Sequence, residues 1–144
     1  MKYHVDGDLV PADEASVNVR DRGFRYGDAA FETLRAYGGS IFEWDAHEAR
    51  LRRTAEQLGF ADAVPDDLRE RVRETLAADD LDEAYVRLSV TRGAGAGRLA
   101  PAPDIDPTVV IIVEGRRQQP APDGRRHDAV GRGRRPARVP HRSD

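Results

Sequence analysis

The sequence predicts an α+β layer, helices packed on a largely antiparallel sheet, followed by a disordered basic tail. Three observations carry that prediction. Strand signals come first and in hairpin pairs, two apolar stripes at helical spacing follow between positions 45 and 76, and two strand-length runs close the ordered part. Strands and helices are thus grouped rather than alternating. From Arg116 onward periodicity and large apolar side chains both fade, and such a segment cannot bury enough surface to offset chain entropy.

Taken in order, Tyr3-His4-Val5 and Leu9-Val10 flank Asp6-Gly7-Asp8, and Asp-Gly is a strong hairpin signal. Pro11 has no backbone N–H to give a ladder and ends the second strand. Val17-Asn18-Val19 reads as a brief further strand, and His4 as a polar residue on a strand face rather than a catalytic group. Gly23 and Gly27 among Asp and Arg predict a loop from Asp21 to Asp28. Ala29 to Tyr37 is rich in strand formers, Gly38-Gly39 marks a two-residue turn, and Ser40-Ile41-Phe42 returns.

Asp45 and Glu48 have capping-box spacing and predict a helix start, with Leu51, Ala55 and Leu58 on its apolar stripe. Val64-Pro65-Asp66-Asp67 breaks that helix and opens another, whose inward stripe is Leu68, Val72 and Leu76 and whose solvated positions are Glu70, Arg71, Arg73 and Glu74. After a polar turn from Asp79 to Glu83, Ala84 to Thr91 alternates: Val86, Leu88 and Val90 on one side, Tyr85, Arg87, Ser89 and Thr91 on the other. Gly93 to Pro103 reads as a mobile loop. Thr108 to Val113 is a continuous apolar run, which predicts a central strand covered on both faces.

Charge divides the chain in two. Residues 1–115 carry 14 Lys+Arg and 23 Asp+Glu, a net of −9, whereas residues 116–144 carry 9 Arg and 3 Asp, a net of +6. The acidic part fits a salt-adapted protein and compositional drift equally well. The tail's abrupt onset points to a truncated or out-of-frame reading of a longer gene. A functional basic tail contacting nucleic acid is the alternative, but no aromatic side chain is interleaved for base stacking. With no cysteine, disulfides, thiolate metal sites and a thiol nucleophile are excluded. No apolar run reaches membrane-span length and no signal-peptide core opens the chain, so a soluble cytoplasmic protein is expected.

Arg50 lies near a predicted helix start, where the macrodipole favours negative charge. A specific partner is therefore expected for it, an anion such as phosphate being one candidate. The blocks Asp21-Arg22-Gly23-Phe24, Gly27-Asp28, Phe31-Glu32-Thr33 and His47 with Arg50-Leu51, then Tyr85-Val86-Arg87-Leu88 and Thr91-Arg92-Gly93, resemble in order the N-terminal signature of the class IV (fold type IV) pyridoxal-phosphate enzymes. That family includes branched-chain and D-amino-acid aminotransferases and aminodeoxychorismate lyase. The resemblance covers roughly Tyr3 to Glu114.

The resemblance implies that residues 1–115 are a small N-terminal lobe and that pyridoxal 5'-phosphate sits between it and a larger C-terminal lobe, whose lysine attaches the cofactor covalently. It implies amino acids and 2-oxo acids, or aminodeoxychorismate, as substrates, and a homodimer when full-length. Arg50 matches the phosphate-binding arginine, a role its forked donors suit. Phe31 and Glu32 match positions bordering the substrate pocket, and Arg87 and Arg98 match neighbourhoods that receive a substrate carboxylate. Arg92 matches a structural turn. Two departures stand out: Ala29 replaces a glycine common in relatives, and Ala100 stands near a histidine of the D-amino-acid enzymes, which weighs against that subfamily. Phe31-Glu32-Thr33 resembles the aminotransferases more than the lyase. The one lysine, Lys2, is where no family motif places the catalytic group, so the chain alone is expected to lack transaminase activity.

Overall fold

The structure is a computed structural model that describes residues 1–95, 99–101 and 104–115. The predicted tail at 116–144 and Arg98 lie outside the described residues. Two strands, β1 (Lys2–Val5) and β2 (Asp8–Pro11), form the first hairpin; α1 (Arg22–Tyr26) leads into β3 (Ala29–Tyr37) and β4 (Ser40–Ile41). Then come α2 (Trp44–Gln57), a 3-10 turn at Ala61–Ala63, α3 (Leu68–Ala78), β5 (Ala84–Thr91) and β6 (Thr108–Gly115). All strands join one six-stranded sheet in the order β2-β1-β6-β5-β3-β4, and every pairing is antiparallel. The α+β expectation is met.

The long central ladders set the registers that matter. β3 and β5 pair from Ala29↔Thr91 to Ala36↔Ala84, and β5 pairs β6 from Ala84↔Gly115 to Thr91↔Thr108. Side chains alternate across a strand, so Ala30, Leu34, Ala36, Val86, Leu88, Val90, Val109, Ile111 and Val113 all face one side. There α2 lies on β3 while α3 lies on β1 and β6, bringing Trp44, Leu51, Ala55, Leu68, Val72 and Leu76 into one core. The Gly38-Gly39 turn has both glycines at positive φ, 55° and 71°, as a type I′ hairpin requires.

Several expectations are corrected. The loop at 21–28 contains the five-residue α1, capped by Asp21, whose carboxylate accepts from the Gly23 N–H at 2.8 Å. Val17–Val19 forms no strand, and Leu58 is more than a third exposed. Phe60, not Leu58, completes that part of the core. Asp45 is not a cap: α2 starts at Trp44 after Glu43, which has φ 54°, and Glu48 accepts from the buried Trp44 indole at 2.9 Å and pairs with Arg52. His4 is buried under the helices, with Nδ1 lacking a hydrogen-bond partner among the described residues; burial, then nearby Arg71, holds its pKa below the ordinary value. β6 is central in the sheet, but Val110 and Ile112 on its other face are only half-buried, because no helix of the described residues covers that side.

Candidate functional site

Two polar clusters and one open face lie around β3. The first cluster fixes the turn that delivers the strand. Asp21 is fully buried; one carboxylate oxygen caps α1, and the other accepts from the Thr91 and Thr108 hydroxyls at 2.9 and 2.6 Å. Gly23 packs so closely on Thr91 that an added Cβ would sit 2.5 Å from its methyl, so α1 can seat there only with glycine. Beside it Asp28 accepts from Arg22 at 3.0 Å and Arg92 at 2.6 Å. Burial pushes the Asp28 pKa up, but the bonds from Arg92 and Arg22 outweigh it and the net shift is down. Arg92 also donates to the Leu58 carbonyl and stacks over Phe60, the structural role expected of it.

The second cluster joins β3 to α2. Glu32 points to the helix side, its side chain 8% exposed, and its two oxygens accept from Arg50 Nε and Nη2, both at 2.7 Å. His47, one helical turn before Arg50, places Nδ1 2.8 Å from Glu32 Oε2 and 3.0 Å from Arg50 Nη2. An arginine nitrogen only donates and a carboxylate only accepts. The shorter contact, to the carboxylate, selects the tautomer with hydrogen on Nδ1. Desolvation raises the Glu32 pKa, yet hydrogen bonds from Arg50 and His47 prevail and lower it; Arg50 is raised in turn by Glu32. The Arg50 side chain remains 53% exposed, and its Nη1 has no partner among the described residues. Such a fork, bidentate on one edge and open on the other, suits a phosphate group by charge and by donor geometry.

The open face carries the remaining residues. Phe31 is 56% exposed, and the Arg87 guanidinium lies 4.2 Å over its ring. Ile112 is opposite Arg87 in the β5–β6 register, and Thr33 is opposite it on β3. Next along the sheet, Arg35 stacks over its cross-strand partner Tyr85 at 4.5 Å and hydrogen-bonds the Tyr85 hydroxyl. The structure thus brings Phe31 together with Arg87, and Glu32 together with Arg50, on opposite faces of β3. The family resemblance implied that Phe31 and Glu32 both border the substrate pocket; alternation along β3 puts their side chains on opposite faces of the strand. Sequence reasoning assigned no role to His47, Arg35 or Tyr85. His47 stood in the quoted motif, and the alternation of β5 already placed Tyr85 beside Arg87.

Known proteins match this chain. The family model described as amino-transferase class IV matches residues 29–143. A putative branched-chain-amino-acid aminotransferase of Methanocaldococcus jannaschii is 38% identical over 113 residues, which cover 78% of this chain and 39% of that protein. A D-alanine aminotransferase of Listeria monocytogenes is 31% identical over 123 residues, 83% of this chain and 42% of that protein. Among solved structures, the 4-amino-4-deoxychorismate lyase of Pseudomonas aeruginosa superposes with a TM-score of 0.67 at 33% identity, covering 82% of this chain and 41% of that one. The chain therefore spans about two fifths of the length of each of these relatives.

Proposed function

The chain belongs to the amino-transferase class IV family, and on that premise we propose that residues 1–115 are the small lobe of a pyridoxal-phosphate aminotransferase, with Arg50 holding the cofactor's phosphate. The observation that carries this reading is the Arg50 fork, anchored by Glu32 on one edge and half exposed on the other. When bound, the cofactor supplies an electron sink for exchange of the amino group. The residues of this chain bind and orient.

Arg87, on the face of the sheet opposite the Glu32–Arg50 pair, receives the substrate carboxylate; Phe31 lies against it, with Ile112 across from it on β6 and Thr33 on β3. A cation with an aromatic ring and an aliphatic side chain beside it suits an aliphatic amino acid and the matching 2-oxo acid. This favours the branched-chain type over cleavage of aminodeoxychorismate, as does the 38% identity to a relative of that name. The covalent attachment belongs to a larger lobe. Lys2 starts β1, and the sheet order sets β6 and β5 between it and β3, far from the Arg50 cluster.

The test joins residues 1–115 to the large lobe of a class IV aminotransferase and adds pyridoxal 5'-phosphate. The joined protein is expected to turn yellow, to keep its cofactor through borohydride reduction and to transfer amino groups from branched aliphatic amino acids faster than from D-alanine; the 144-residue chain alone is expected to do none of the three. A folded joined protein that binds no cofactor would overturn the reading.

A further inference from the structure

We propose that Glu32 is a positioning residue for the anion site, holding the Arg50 guanidinium in its receiving orientation rather than touching substrate. This rests on the phosphate role of Arg50 and reassigns Glu32 from the substrate-pocket border that the family resemblance implied for it.

The geometry points one way. Glu32 lies on the helix-facing side of β3, away from Phe31 and Arg87. Its carboxylate is held from two directions, by Arg50 Nε and Nη2 at 2.7 Å each and by His47 Nδ1 at 2.8 Å. Both donors rise from α2, three residues apart and so on one face of the helix. A flexible arginine normally loses side-chain freedom when it captures an anion, and that loss lowers affinity. Here the loss is already taken on folding. Two of the five guanidinium N–H donors face Glu32, leaving the Nη1 pair and the second Nη2 hydrogen for a ligand.

A carboxylate 2.7 Å from the guanidinium also opposes the anion by charge. The two effects differ in sign, which makes the proposal decidable. If Glu32 acts only through charge, Glu32→Gln strengthens phosphate binding. If it positions Arg50, Glu32→Gln weakens it, by about three- to tenfold from the freed side-chain rotation.

The experiment uses the full 144-residue chain with pyridoxine 5'-phosphate, which has no aldehyde to react with amines, and pyridoxine as the phosphate-free control. Affinity and the Arg50 Nε–H resonance are followed by NMR in wild type, Glu32→Gln, Glu32→Asp and Arg50→Gln, with amide spectra reporting the fold. The wild type is expected to bind the phosphate form selectively and to show a sharp, exchange-protected Nε–H before ligand is added. Glu32→Gln should broaden that resonance and weaken binding, Glu32→Asp should recover part of both, and Arg50→Gln should erase the selectivity. Should Glu32→Gln bind as well as or better than wild type while Arg50→Gln loses selectivity, the positioning role is refuted and the phosphate site stands. Equal binding of both ligands by the wild type overturns both. If Glu32→Gln unfolds, Glu32→Asp decides: an unperturbed Nε–H resonance with unchanged affinity overturns the proposal.

Discussion

Replacing Asp21 with alanine should cost more stability than any other single polar substitution in the first turn of the fold. Its carboxylate accepts the Gly23 N–H at 2.8 Å and the hydroxyls of Thr91 and Thr108 at 2.9 and 2.6 Å, tying α1 to the ends of β5 and β6. Losing the helix cap removes about 1 kcal/mol. Each lost hydroxyl bond removes about another 1 kcal/mol, and more where the buried hydroxyl finds no new acceptor. The sum is about 3 kcal/mol, lowered somewhat because a buried carboxyl group is also relieved of its own desolvation. With a urea slope of about 1.5 kcal/mol/M for a domain of this size, the midpoint should fall by about 2 M. Asp21→Asn keeps one acceptor and should lose about a third of that. Equilibrium urea unfolding, followed by circular dichroism and Trp44 fluorescence, measures both. A midpoint shift below about 0.5 M for Asp21→Ala would show that Asp21 does not hold the turn.

Other outcomes follow from the same contacts. Leu51→Ala empties a fully buried position between α2 and the sheet and should destabilise by about 2–5 kcal/mol in the same assay. Gly23→Ala forces a Cβ to within 2.5 Å of Thr91 and should be at least as harmful as overpacking a core, about 1–3 kcal/mol, with partial rescue by Thr91→Ser. Burial depresses the pKa of His4, so the unfolded chain binds the proton more readily. Its contribution is intact above the ordinary histidine value of about 6.5 and is lost as pH falls from there toward the folded value. Urea midpoints measured between pH 7.5 and 5 should decline, and His4→Leu should flatten that decline. Arg50→Lys keeps the charge but not the fork, and should weaken binding of inorganic phosphate by about tenfold, read by NMR titration.

The parts of the fold legible in the sequence are those fixed by local pattern. The alternation of Val86, Leu88 and Val90 located β5 and its inward face, and Gly38-Gly39 located the hairpin, because both signals act within a few residues. The short helix α1 was not legible: Asp21 is fixed by Thr91 and Thr108, 70 and 87 residues away. The apolar run of β6 marked a central strand but not which face is open, since Val110 and Ile112 are as apolar as Val109 and Ile111. At the candidate site, Arg50 was legible from its motif with His47 and Leu51 rather than from the helix dipole, since it is the seventh residue of α2 and lies beyond the first turn; its partner was not identifiable. Glu32 lies 18 residues away on a strand, and only the packing of α2 on β3 joins them. Separating Phe31 from Glu32 needed no more than the period of two applied to β3.

Whether Arg50 is an anion site is decided by comparing the wild-type chain and Arg50→Gln for phosphate-dependent binding, with pyridoxine 5'-phosphate against pyridoxine in matched titrations. The wild type is expected to prefer the phosphate form, added inorganic phosphate to compete, and the preference to vanish in Arg50→Gln with the fold intact. A preference that survives the loss of Arg50 would contradict that role.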